Sequence, residues 1–187
     1  MPVLIVIDML NGFLAQWEPE QRSKLIENTN RLVRHFRSCG WPVIWIRQEF
    51  EADLSDAFLE MRDRNIVANI KGTREVEIAE GLDIDVGDIV IVKKRYSAFF
   101  GTDLDIILKE LNAGEIVLCG INTHACVRMT AIDAYQRDYQ VILAREATGS
   151  YDDEHAAVTL RYLDGKIVRV LSVAEITAAQ NAPISFR

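Results

Sequence analysis

An acid, two ammonium groups and a thiol follow three separate apolar runs of this 187-residue chain. Asp8 directly follows Val3-Leu-Ile-Val-Ile7. Lys93 and Lys94 follow Ile89-Val-Ile-Val92. Cys126 comes after Ile116-Val-Leu-Cys119 and the intervening Gly120-Ile-Asn-Thr-His-Ala125. Together these groups support acyl transfer. A free thiol with its ordinary pKa of about 8.5 is mostly protonated at neutral pH, and a helix N-terminus with a nearby cation lowers that value. A carboxylate can take the thiol proton and later deliver it to a leaving amine. Backbone N–H groups in a turn entering a helix can hold a developing oxyanion.

Each residue also has a plainer reading. Asp8 serves as a hydrogen-bonding group at a strand end, although a carboxylate directly after five apolar residues is costly unless paired or working. Lys93 and Lys94 form a solvated strand end. Cys126 packs as a small hydrophobe, the usual fate of a free cysteine. What favours chemistry is their coincidence at one place, and that depends on the elements that carry them.

Val- and Ile-rich runs recur along the chain: Val3–Ile7, Pro42–Ile46, Ile89–Val92, Ile116–Cys119, Val141–Ala144 and Ile167–Leu171. The first five lack polar alternation, as expected for parallel strands buried on both faces. Helical periodicity fills the gaps. From Pro19 to Cys39, Leu25, Ile26, Leu32, Val33 and Phe36 form one stripe, closed by Gly40. Thr102-Asp-Leu-Asp105 resembles a capping box opening a helix to about Asn112. Cys126–Arg137 and Asp153–Leu163 also have helical spacing. Strand and helix in alternation predict an α/β, doubly wound, Rossmann-like, six-stranded and mainly parallel sheet with helices on both faces. One domain is expected over 1–187, with an insertion at 48–87 between strands two and three that is long enough to be a functional loop or lid. Ligands in such sheets sit beyond the carboxyl ends of the strands, where Asp8, the lysine pair and Cys126 all fall.

Other candidates carry less. Cys39 falls at a helix end and Cys119 within a strand, so both are read as packing residues. His124 invites a Cys–His dyad with Cys126, but residues two apart do not face each other on a helix, and a structural or pocket-rim role fits better. His155 reads as part of a solvated face. Arg95 and Tyr96 follow the lysines and are candidates for substrate contact, with core packing an equal reading of Tyr96 and Phe99. Isolated glycines supply no phosphate loop.

Composition narrows the class further. Lys and Arg number 21 against 28 Asp and Glu, a net charge of −7, and 49% of residues are hydrophobic. That balance argues against disorder and against binding nucleic acid or an anionic membrane, which clustered cations would recognise. The first apolar run stops at Asp8 without a preceding basic region, unlike a signal peptide or membrane helix. Three cysteines without CxxC spacing give neither a disulfide framework nor a zinc ribbon. A soluble cytoplasmic protein is expected.

Three segments carry a resemblance to a known family: Ile7-Asp8-Met-Leu-Asn-Gly-Phe13, Lys93-Lys-Arg-Tyr-Ser-Ala-Phe-Phe-Gly-Thr102, and Cys119-Gly-Ile-Asn-Thr-His-Ala-Cys126-Val127. With them the chain resembles the isochorismatase-like cysteine hydrolase superfamily over nearly its whole length. The resemblance implies a catalytic triad of Asp8, Lys93 and Cys126, with Lys93 chosen over Lys94 by its spacing from Tyr96-Ser-Ala-Phe99. It implies a cis peptide at Ile121–Asn122, with the backbone N–H groups of Asn122 and Cys126 as an oxyanion hole, and Phe13 as a pocket wall. Nicotinamidases of the superfamily bind a metal through an Asp-x-His and a further His after the second strand. Here that stretch reads Arg47-Gln-Glu-Phe-Glu-Ala-Asp53, and no His lies between His35 and His124. True isochorismatases cleave a vinyl ether and typically lack the nucleophilic cysteine. The resemblance therefore implies a hydrolase without metal or cofactor acting on a carbon–nitrogen bond of a small amide, N-carbamoyl or ureido compound through a thioester. It also implies a homo-oligomer, dimer or tetramer. The rivals are a vinyl-ether hydrolase using Asp8 as acid and a non-catalytic binding or scaffold member.

Overall fold

Buried parallel strands need long crossovers, and the crossovers here are mostly helices that cover both faces of one sheet. A computed structural model describes residues 1–178; residues 179–187 of the expected domain lie outside those described. In chain order the elements are β1 (Pro2–Ile7), α1 (Asn11–Leu14), α2 (Pro19–Ser38), β2 (Val43–Gln48), α3 (Leu59–Arg64) and β3 (Ile89–Lys93). They continue as α4 (Leu104–Glu110), β4 (Glu115–Ile121), α5 (Arg128–Tyr135), β5 (Gln140–Gly149), α6 (Asp153–Leu163), β6 (Arg169–Leu171) and α7 (Val173–Ala178). The six strands are ordered β3-β2-β1-β4-β5-β6, and every pair is parallel. This is the doubly wound order, whose direction of winding reverses between β1 and β4.

The pleat sorts the core into two layers. Leu4, Val6, Trp45, Val117 and Cys119 meet Leu25, Leu32, Val33 and Phe36 of α2 and Val173 and Ile176 of α7. Ile5, Ile7, Ile44, Ile46 and Leu118 meet Leu104 and Leu108 of α4, Ala131 and Ala134 of α5 and Leu163 of α6. The helix α2 begins with Pro19 in its first turn and ends at Cys39, after which Gly40 takes φ +69°.

Several sequence expectations need correction. As an edge strand, β3 is not buried on both faces: Val90 lies open to solvent, and among the described residues no further strand pairs beyond it. The helix expected from Thr102 begins at Leu104 after Asp103, whose side chain makes no cap; the Thr102 hydroxyl accepts from Leu104 N at 3.3 Å and donates to Ala98 O. The short helices α1, α3 and α7 span four to six residues, too few to show a helical period.

Gln48 belongs to β2, so the insertion starts one residue later than expected. It folds around a small apolar cluster of Phe50, Leu54 and Ala57 and is tied to the loop after β1. Asn11 N donates to Glu77 O at 3.0 Å and Ala79 N to Met9 O at 2.9 Å. Its return to β3 is anchored by Asp88, which accepts from Trp45 Nε1 at 2.8 Å and pairs with Arg37.

Candidate active site

Register alone brings the strand ends together. Ile7 lies beside Ile46 on one side and Gly120 on the other, while Lys93 lies beside Gln48. Local backbone then aims the side chains. Asp8 takes φ +52°, a left-handed conformation that Asp tolerates better than most residues, and so leaves the pleat of β1. Gly120 takes φ +108°, and a Cβ there would stand 2.1 Å from Ile7 O. Only glycine lets β4 pass so close to the end of β1. The Ile121–Asn122 peptide is cis.

Cys126 does not begin a helix, as its sequence position suggested; it sits inside a π-helical turn, Thr123–Val127, that precedes α5. Such wide turns recur at functional sites because the extra residue re-aims a side chain. Two bonds brace the turn. Thr130 Oγ1 donates to Cys126 O at 2.7 Å and accepts from Ala98 N at 3.0 Å, linking the thiol's backbone to the segment after β3. Ser97, hydrogen-bonded to Asp133 of α5, adds a second link.

These constraints place Lys93 between the other two groups. Its Nζ is 2.7 Å from Asp8 Oδ2, 3.4 Å from Cys126 Sγ and 3.1 Å from Arg95 O, with the side chain fully buried. The Asp8 carboxylate thus faces both the Lys93 ammonium and the Cys126 thiol, and its remaining lone pairs can accept a proton. Lys94 turns away to Glu49 O at 2.7 Å and Asp56 Oδ2 at 2.8 Å.

The electrostatics reverse one expectation. The cation and helix entry were expected to lower the thiol pKa. Instead burial pushes Cys126 well above the ordinary thiol range, the Asp8 carboxylate adds to the rise, and Lys93 only partly offsets it. Burial by itself would lower Lys93, but the neighbouring Asp8 and Cys126 hold it above its ordinary value. The resting arrangement is a carboxylate–ammonium pair beside a protonated thiol. Beside that thiol the Asp8 carboxylate is the group placed to act as a base.

Beside Asn122 opens a cavity of about 380 Å³, walled by Phe13, Trp17 and Tyr151. Phe13, expected as a wall, lines this cavity, as do Trp17 and Tyr151, which carried no signal that separates a wall from a packed aromatic. Arg95 and Tyr96 lie against the insertion: Arg95 donates to Asp56 O at 2.9 Å and covers the Phe58 ring, and Tyr96 tilts on the same ring at 5.0 Å. Phe99 is core. His124 is held away from Cys126, with Nδ1 2.6 Å from Ser150 Oγ and its ring edge-on to Tyr151. His155 lies exposed against Asp152. Cys119 is packed in β4, and Cys39 caps α2. Among the described residues no group of three His, Cys, Asp or Glu side chains is placed to hold a metal ion, and no helix is long and apolar enough to cross a membrane.

Comparison with known proteins places this geometry. Residues 2–175 match the model of the isochorismatase domain. An uncharacterized isochorismatase family protein, YecD of Escherichia coli O157:H7, is 30% identical over 177 residues, covering 94% of each chain. The ureidoacrylate amidohydrolase RutB of Methylorubrum extorquens is 32% identical over 170 residues, 78% of this chain and 68% of its own. The crystal structure of N-carbamoylsarcosine amidase from Thermoplasma acidophilum superposes with a TM-score of 0.78 at 28% identity, covering 92% of this chain and 96% of that one. With its Asp8–Lys93–Cys126 cluster at the carboxyl edge of the shared sheet, the chain belongs to the isochorismatase family.

Proposed function

We propose that the protein is a cysteine-dependent amidohydrolase that cleaves a carbon–nitrogen bond in a small amide, N-carbamoyl or ureido compound. The single observation that carries this reading is Lys93 Nζ standing within 2.7 Å of Asp8 and 3.4 Å of Cys126 in a site closed to solvent. The amidohydrolase names of two relatives support it.

In the first half-reaction the Cys126 thiol gives its proton to Asp8 as sulfur bonds to the substrate carbonyl. The oxyanion is received by the backbone N–H groups of Asn122 and Cys126. When the C–N bond breaks, the departing nitrogen takes the proton from Asp8 and leaves as ammonia or an amine. In the second half, Asp8 deprotonates a water that attacks the thioester; the S–C bond breaks and the proton returns to Cys126. Lys93 pairs with the carboxylate and balances the thiolate while it exists. Arg95 and Tyr96, held on the insertion, would act on substrate through that loop. Exposed Ile106, Met129, Val158 and Tyr162 on α4, α5 and α6 support assembly as a homo-oligomer. Three free cysteines support a reducing compartment such as the cytoplasm.

The test is ammonia release from a panel of small amides and ureides, with iodoacetamide-treated protein as the blank. At least one amide is expected to be hydrolysed by the untreated protein alone. Cleavage of a vinyl ether that survives iodoacetamide, with no amide turned over, would establish the ether-hydrolase alternative instead.

A further inference from the structure

The cavity beside Asn122 has a charge pattern that bears on which amide enters, an inference that rests on the amidohydrolase reading above. Its aromatic walls come from two places, Phe13 and Trp17 from α1 and the turn after it, Tyr151 from the turn between β5 and α6. Among the described residues, the charged side chains that line it are Glu18 and Asp153, both carboxylates, with no Lys or Arg beside them. Asn122, the lining residue that precedes the turn carrying Cys126, has its Oδ1 buried without a hydrogen-bond donor among the described residues, a spare acceptor rather than a spare donor. The nearest cation of the site, Lys93, is enclosed by Asp8, Cys126 and Arg95 O and offers nothing outward. With Asp8 and Lys93 opposite in sign and the thiol protonated, the three reacting groups are neutral in sum. Among the described residues, the net charge facing a ligand in the cavity is thus that of Glu18 and Asp153, both at its solvent-exposed side.

A carboxylate placed there would meet two like charges and no counter-ion. An ammonium group would meet both carboxylates and the faces of three aromatic rings, which attract cations through their quadrupoles. The volume, about 380 Å³, suits a small molecule. We propose that the substrate is a small amide or ureide whose far end carries a positive charge, held between Glu18, Asp153 and the aromatic walls while its carbonyl reaches Cys126 past Asn122.

Three small amides test this: trimethylammonioacetamide, its neutral tert-butyl isostere, and the anionic malonamate. Ammonia release gives kcat/KM for each with the wild-type protein and with the double variant E18Q/D153N. Calorimetry with Cys126→Ala gives binding of the same three compounds independently of turnover. The ammonium compound is expected to lead the neutral isostere by about tenfold in kcat/KM, and malonamate to be the poorest. In the double variant the lead should shrink to about twofold or less. Turnover that favours malonamate, or the three within about twofold of one another in wild type, overturns the inference and leaves the amidohydrolase reading standing. If none is turned over yet Cys126→Ala binds the ammonium compound most tightly, the charge selection stands and the catalytic reading fails. If Cys126→Ala binds malonamate as tightly or more tightly, the inference is overturned whatever the turnover.

Discussion

Replacing Asp8 with asparagine is expected to cut turnover roughly 10³- to 10⁴-fold while making Cys126 easier to alkylate. The two effects have one cause. Asp8 is the group placed to accept the thiol proton, and its negative charge also opposes formation of a thiolate beside it. Asparagine keeps the shape and removes both properties. Lys93 then faces Cys126 without a competing anion, so the thiolate becomes easier to form, although burial still opposes it. The measurement is the rate of iodoacetamide alkylation against pH. In the wild-type protein the rate should rise only in the alkaline range, because burial and Asp8 hold the thiol above its ordinary value. In Asp8→Asn the rise should move to lower pH. A profile that stays in place or moves upward would show that the Asp8 charge does not govern the thiol.

Lys93→Met should cost about 3–5 kcal/mol of stability as well as activity, because it leaves the buried Asp8 carboxylate without its cation. Methionine fills similar space, so the loss reports charge more than packing. Linkage gives the pH dependence its sign. Asp8 and Cys126 raise Lys93 above its ordinary 10.5 in the folded protein. A raised cation contributes stability that is fully present below the unfolded value and lost as pH rises through the folded one. Urea unfolding should therefore show a gap between wild type and Lys93→Met that is steady through neutral pH and narrows above about 10.5. Equal stabilities at neutral pH would mean that the ion pair does not hold the site together.

The convergence of Asp8, Lys93 and Cys126 was legible because each stands at or beyond the carboxyl end of a parallel strand, and all such ends in a doubly wound sheet open to one edge. What their neighbours do was less legible. The π-helical turn around Cys126 has the same local spacing as an α-helical start, and Thr130 ties it to the distant segment after β3 by donating to Cys126 O while accepting from Ala98 N. The direction of the thiol shift depends on burial against charge at distances of a few ångströms, which strand-end positions do not contain. Trp17 and Tyr151 became walls only when the turns after α1 and β5 met at the cavity. The helices α1, α3 and α7 are held by packing and short hydrogen bonds rather than by a stripe long enough to see.

The role of Cys126 as nucleophile is reached most directly by comparing ammonia release from wild type and Cys126→Ala on an amide that the wild type hydrolyses. Alanine removes the sulfur and leaves the Asp8–Lys93 pair in place. The expected rate for Cys126→Ala is that of the blank, at least about 10⁴-fold below wild type, in a protein that unfolds at a similar urea concentration. A rate within about tenfold of wild type would contradict covalent catalysis by Cys126.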